Sequence, residues 1–256
     1  MAYPAPVPNS TPPTRPAGDP QAGSPPQPTI EQYGAAAVNS MQTLRTNECP
    51  PGARVDLVTQ LLRDISLQRL TSNDTRTVLQ GLVESIRNGY IPNESVNVVA
   101  NVALGEIHTW PERERALVLR DFLVAIADVG HSDLLRSAVT VSAIRFLEGF
   151  PEPSAESFAD LSLWLGYSLV RNRIPQPLRD GVVRICFAGL RHTGIGTLIR
   201  GKIAWVLSTL CDVTEFPFLP IDEILQLAES PELNDQLREQ IKNNLNRRTL
   251  MSVGLF

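Results

Sequence analysis

Residues 131–175 read HSDLLRSAVTVSAIRFLEGFPEPSAESFADLSLWLGYSLVRNRIP. Ser132 stands where a helix N-cap is needed, with Asp133 behind it as a first-turn acid. Leu135, Val139, Ile144 and Leu147 then recur at helical spacing, and Gly149 ends the run. Ser154 opens a second helix carrying Phe158, Leu161, Trp164, Leu165 and Leu169, and Pro175 and Pro177 begin a third. Two helices of about four turns each, joined by short punctuated turns, make one helical hairpin.

The same grammar extends both ways. Toward the N-terminus, Thr29 with Gln32 forms a capping box that opens a helix to about Arg45, which Glu48-Cys49-Pro50-Pro51-Gly52 breaks. Val55, Val58, Leu61, Leu62 and Ile65 form one apolar stripe. Ser72 or Asn73 is expected to cap a helix carrying Val78, Leu79, Leu82, Val83 and Ile86, with Gly89 at its C′ position. Asn93 starts one with Val96, Val99, Ala103 and Leu104, and Pro111 one with Leu117, Phe122, Leu123 and Ile126, ended by Gly130. Toward the C-terminus, Leu178, Val182, Ile185 and Leu190 are followed by Leu198, Ile203, Val206, Leu207 and Leu210. Two shorter helices are expected after Pro220 and Ser230. No sustained alternation marks a strand.

The predicted starts fall near 72, 93, 110, 132, 154, 175 and 196, an interval of about 21 residues. Two helices per unit give about 42, within the ~40–47 of HEAT and armadillo units. On that period and punctuation, residues 50–250 resemble the HEAT/armadillo-like α-solenoids. The resemblance implies an all-α fold of stacked helical hairpins and a binding rather than catalytic role. A compact helical bundle is the alternative architecture. The segment 93–110 is short for a unit, so an irregular turn is expected there.

The chain divides into a proline-rich leader at 1–28, a helical-repeat domain at 29–250 and a tail at 251–256. The leader holds ten prolines and one acid, Asp19, and is expected to stay extended. Its composition resembles the secretion leaders of Gram-negative type III effectors. Among 23 basic residues only Lys202 and Lys242 are lysines, which suits a protein exposed to host ubiquitination, although an arginine-favouring genome gives the same bias. This resemblance implies delivery into a host cell without a cleaved signal peptide and action in a reducing cytosol; the alternative is a cytoplasmic protein.

Composition narrows the partners. A net charge of −4 argues against nucleic acid, and no apolar run spans a bilayer. Cys49, Cys186 and Cys211 are too few and scattered for a disulfide framework or a zinc site. No cofactor or metal is expected. His131-Ser132-Asp133 is explained as a helix start, and Gly194-Ile195-Gly196-Thr197 lacks the strand and lysine of a phosphate loop.

The expected function is therefore a non-enzymatic scaffold, in the favoured setting an effector that binds a host protein. The alternatives are a cytosolic adaptor or assembly factor, a ubiquitin-ligase-type or other transferase with a diverged helical domain, and a helical viral capsid or nucleoprotein. The candidate partner-binding residues are Arg173, Arg179, Arg184 and Arg191, from the arginine-rich stretch 171–200, expected to line up when units stack and to grip a protein or acidic peptide bidentately. Arg184, between Val183 and Ile185, is expected to meet a carboxylate or open onto a groove. Trp110, at a turn beside Pro111, is either an exposed anchor or a packing residue.

Overall fold

The computed structural model describes residues 28–46, 49–127, 131–149, 152–210 and 219–252. Expectations for the leader, Gly130, Cys211 and the last four residues lie outside them. The described residues form α1 (Ile30–Leu44), α2 (Pro51–Ser66), α3 (Ser72–Arg87), α4 (Asn93–Glu106), α5 (Glu112–Ile126), α6 (Asp133–Leu147), α7 (Ala155–Val170), α8 (Arg179–Arg191), α9 (Thr197–Thr209), α10 (Ile221–Ala228) and α11 (Asp235–Ser252), with 3-10 turns at Ile107–Thr109 and Gln176–Leu178. No strand occurs among them, so the fold is all-α.

Helix starts follow the capping chemistry. Thr29 and Gln32 form the reciprocal box, and Ser132 and Ser154 accept the N–H of Leu135 and Ser157. The cap of α3 is Thr71, one residue before the expected position: it accepts the Asp74 N–H at 3.1 Å and donates its hydroxyl to the Asp74 carboxylate at 2.6 Å. Proline stands at or beside the start of several helices: Pro92, Pro111 and Pro220 are N-caps, and Pro51 is the first residue of α2. At the far end of α3, Gly89 takes φ +74° while its N–H and that of Tyr90 reach back to Ile86 and Ser85. A side chain there is strained, and glycine is not.

Packing is by rows. Each odd helix touches the next odd helix, from α1 through α11, and α2, α4, α6 and α8 touch in the same succession. Each hairpin bridges the two rows, so the core is one continuous seam between them, from Leu44 and Leu61 through Phe122 and Leu165 to Leu207 and Ile241. This layering is compatible with the expected stack of hairpins. An irregular turn stands where one was expected: α4 is followed by a 3-10 turn, just past which Trp110 enters the core at 7% exposure. The C-terminal helix α11 is the longest described rather than short, and turns Gln236, Glu239, Gln240 and Asn243 outward as a polar cap on the row.

Two residues assigned to apolar stripes are exposed, Leu117 at 38% on α5 and Leu198 at 49% on α9, both in the odd row. Val55, Leu104, Ile144, Trp164 and Leu178 are half-buried.

Candidate functional site

The arginines of 171–200 do not form one row. Arg173 follows α7, half-buried, with its Nε enclosed and without a hydrogen-bond partner. Arg179 folds back across the turn, its Nε donating to the Ile174 carbonyl at 3.3 Å and its guanidinium to the Asn172 side chain. Arg184 is exposed on α8 rather than embedded among its apolar neighbours, and borders a groove of about 460 Å³ with Arg145, Glu148 and Asp180. Arg191 reaches toward α10, where two of its nitrogens hold Glu223 at 2.8 and 2.5 Å. Those bonds raise the Arg191 pKa and lower that of Glu223. The helical period puts Arg184 and Arg191 near one face of α8, but Arg173 and Arg179 sit at the turn before it, and the two on α8 meet different neighbours, α6 and α10. Trp110 is in the core, so its indole packs instead of projecting.

What does line up is a ladder between odd helices. Arg45 on α1 meets Glu84 on α3 at 2.6 Å. From α3, Arg76 and Arg87 meet Glu114 and Asp121 on α5 at 3.1 and 2.9 Å. Arg120 on α5 meets Asp160 on α7 at 3.5 Å. Glu112 accepts the backbone N–H and hydroxyl of Ser154 at 2.9 and 2.8 Å, 42 residues on. Hydrogen bonds from Ser157 and Ser154 hold its carboxyl below the usual range. Arg115 lies over the Phe146 ring, 5.1 Å from its centroid. These pairs recur at about one unit, so a sequence search at that separation for arginine–acid pairs could have found them.

Beyond Arg120–Asp160 the ladder opens into a groove of about 630 Å³ between α5, α7 and the turn before α9. Its floor includes Leu117, Leu163, Ile195 and Ile199, its walls Arg113 on α5 and Glu156 with Asp160 on α7. Arg113 and Glu156 are exposed, and neither forms an ion pair with another described residue. Burial raises the Asp160 pKa; Arg120 opposes the rise and the charges of Asp121 and Glu156 add to it. The Gly194 turn forms one rim and is held by its N–H to the Nδ1 of His192 at 3.1 Å, whose ring lies 5.4 Å from that of Phe158. A Cβ on Gly194 would come within 3.0 Å of Ala155, so the rim closes this tightly only with glycine.

Farther along α7, past Leu163 at the end of the groove, lies an aromatic cluster. The Trp164 and Tyr167 rings meet edge-on at 5.5 Å, and Tyr167 meets Trp205 of α9 at 6.0 Å. All three are half-buried, although the spacing of Trp164 places it in an apolar stripe. The seam beneath is narrow: a Cβ on Gly166 would lie 2.8 Å from Val206. Burial raises the Tyr167 phenol pKa, with the nearby Arg171 charge opposing. Glu156, Asp160, Trp164, Tyr167 and Arg171 follow one another at three- or four-residue steps, which places them on one face of α7 and its end.

Elsewhere the chemistry is structural. Cys186 is fully enclosed, its thiol pushed up to about 12 by burial, which leaves it a thiol rather than a nucleophilic thiolate. Among the described residues no helix is long and apolar enough to cross a membrane. No protein-family profile, curated protein or solved structure matches the chain.

Proposed function

We propose that this protein is a non-enzymatic interaction scaffold that binds a partner protein on the odd-helix face over α5, α7 and α9. The observation that carries it is the half-exposed Trp164–Tyr167–Trp205 cluster beside an open groove whose charges Arg113 and Glu156 form no ion pair with another described residue. Aromatic and arginine side chains at a rigid, partly desolvated surface are what binding hot spots are made of. Leu117 and Leu198 extend the apolar area at the positions where the stripes depart from burial. Site-specific photo-crosslinking tests it: a photoreactive residue at Leu117 or Leu198 should capture a defined partner in the cell where the protein acts, and one at Leu67, on the exposed end of α2, should not. Equal capture at all three positions would remove this face as the site.

The setting we attach to it is that of a type III effector acting on a host protein. An acid-poor, proline-rich leader and the two-lysine composition support it. Residues 1–28 fused to a reporter enzyme should then be delivered into host cells by bacteria with an intact type III apparatus and not by an apparatus mutant.

A further inference from the structure

The odd-helix face is graded in charge along its length. At the start of α7 stand Glu156, exposed and without an ion-pair partner among the described residues, and Asp160, whose partner Arg120 also serves Asp121 at 3.2 Å. The middle is apolar and aromatic: Leu163, Trp164, Tyr167 and, from α9, Trp205. Just past the other end stands Arg171, exposed and likewise without an ion-pair partner among the described residues. Between Glu156 and Arg171 the helix rises about 22 Å, roughly four turns.

An isolated α-helix carries the mirror of this gradient. Acids favour its N-terminal turn and bases its C-terminal turn, because of the unpaired N–H and C=O groups there. We propose that the partner element seated on this face is an amphipathic α-helix of about four turns, lying antiparallel to α7, with acids in its first turn against Arg171, apolar side chains over Trp164, Tyr167 and Trp205, and bases in its last turn against Glu156 and Asp160. The inference rests on the scaffold role proposed above and specifies its ligand. The parallel orientation would set the partner's basic last turn against Arg171 and its acidic first turn against Glu156 and Asp160; the repulsion is full at Arg171 and tempered at the other end, where Arg113 and Arg120 of α5 line the same groove.

The test uses two synthetic peptides of about 16 residues with identical composition, both locked helical by a side-chain lactam in the middle. One carries Glu in its first turn and Lys in its last; the other reverses them. Both keep leucines at i, i+4, i+7 and i+11, and neither contains tryptophan, so the fluorescence of Trp164 and Trp205 reports binding. The Glu-first peptide should bind the full-length protein about tenfold more tightly, the size expected when a partly screened ion pair at each end replaces a like-charge contact. The double variant Glu156→Lys/Arg171→Glu should invert the preference, a result that peptide helicity cannot produce. Equal affinities, or a preference the double variant leaves unchanged, overturn the orientation. If neither peptide binds while crosslinks from Leu117 and Leu198 still capture a partner, the helical ligand is wrong and the scaffold role stands.

Discussion

Leu117 and Leu165 have the same side chain and both lie on odd helices, yet one is 38% exposed and the other fully buried. Burial is what a truncation measures. Leu165→Ala and Leu207→Ala, both at sites with no exposed surface, should each cost about 2–5 kcal/mol in denaturant unfolding. Leu117→Ala should change stability by less than about 0.5 kcal/mol; a cost equal to that of Leu165→Ala would mean that the α5 face is covered. Asp160 supplies a second residue-scale expectation. Its pKa is raised in the folded protein by burial, so folding favours the protonated acid. The relative gain is complete below the ordinary value of 3.8 and is lost as pH rises through the folded pKa, which leaves the ionised form a burden at neutral pH. Asp160→Asn should therefore raise the melting midpoint at pH 7, and the difference from wild type should shrink as pH falls toward 3.8. A variant less stable at pH 7 would mean that the Arg120 pair outweighs desolvation.

Among elements, one tight seam is where α7 meets α9. Gly166 leaves no room for a methyl group, with Val206 at 2.8 Å and the Cys186 sulfur at 3.3 Å from a would-be Cβ. Gly166→Ala should cost about 1–3 kcal/mol and, because this seam carries Tyr167 and Trp205, should also alter the tryptophan emission spectrum. A stable variant with an unchanged spectrum would show that α9 moves freely to accommodate it. Element existence was legible in the sequence because each signal is local: Thr29, Ser132 and Ser154 bond within their own first turn, and Gly89 needs only its own φ. The cap of α3 slipped by one because Thr71, Ser72 and Asn73 are all competent and the Asp74 hydrogen bonds select Thr71. The site was not legible for the opposite reason. Helical period fixes a face within one helix but not the register between helices 40 residues apart, and that register decides whether Arg120 meets Asp160 or Arg173 joins Arg191. Leu117, Trp164 and Leu198 fit their stripes by spacing; what leaves them open is that the odd row presents this face to solvent.

At the scale of the whole molecule, the two rows and the ladder imply a particular kind of cooperativity. A helix in the odd row touches its neighbours in the row and its hairpin mate, and α1 makes no such contact with α7, α9 or α11. Stability is then close to a sum of local terms and nearest-neighbour interfaces, and a defect spreads only a unit or so. In a compact bundle every helix shares one core, and a defect lowers protection everywhere. Native-state hydrogen exchange separates the two. Leu61→Ala removes a buried side chain in α2, 2% exposed and far along the rows from α9. It should speed exchange of the slow amides of α1 to α4 by a factor of about 30 or more, the equivalent of at least 2 kcal/mol. The amides of α9 and α11 should keep their wild-type rates. The ladder sharpens the expectation: because its ion pairs join neighbouring odd helices, added salt should loosen exchange at the α1–α3 and α3–α5 steps more than at α7–α9, which is joined by the ring contact of Tyr167 with Trp205. A uniform acceleration through α11 on the Leu61 substitution would instead show one cooperative core, and the compact bundle would replace the stack.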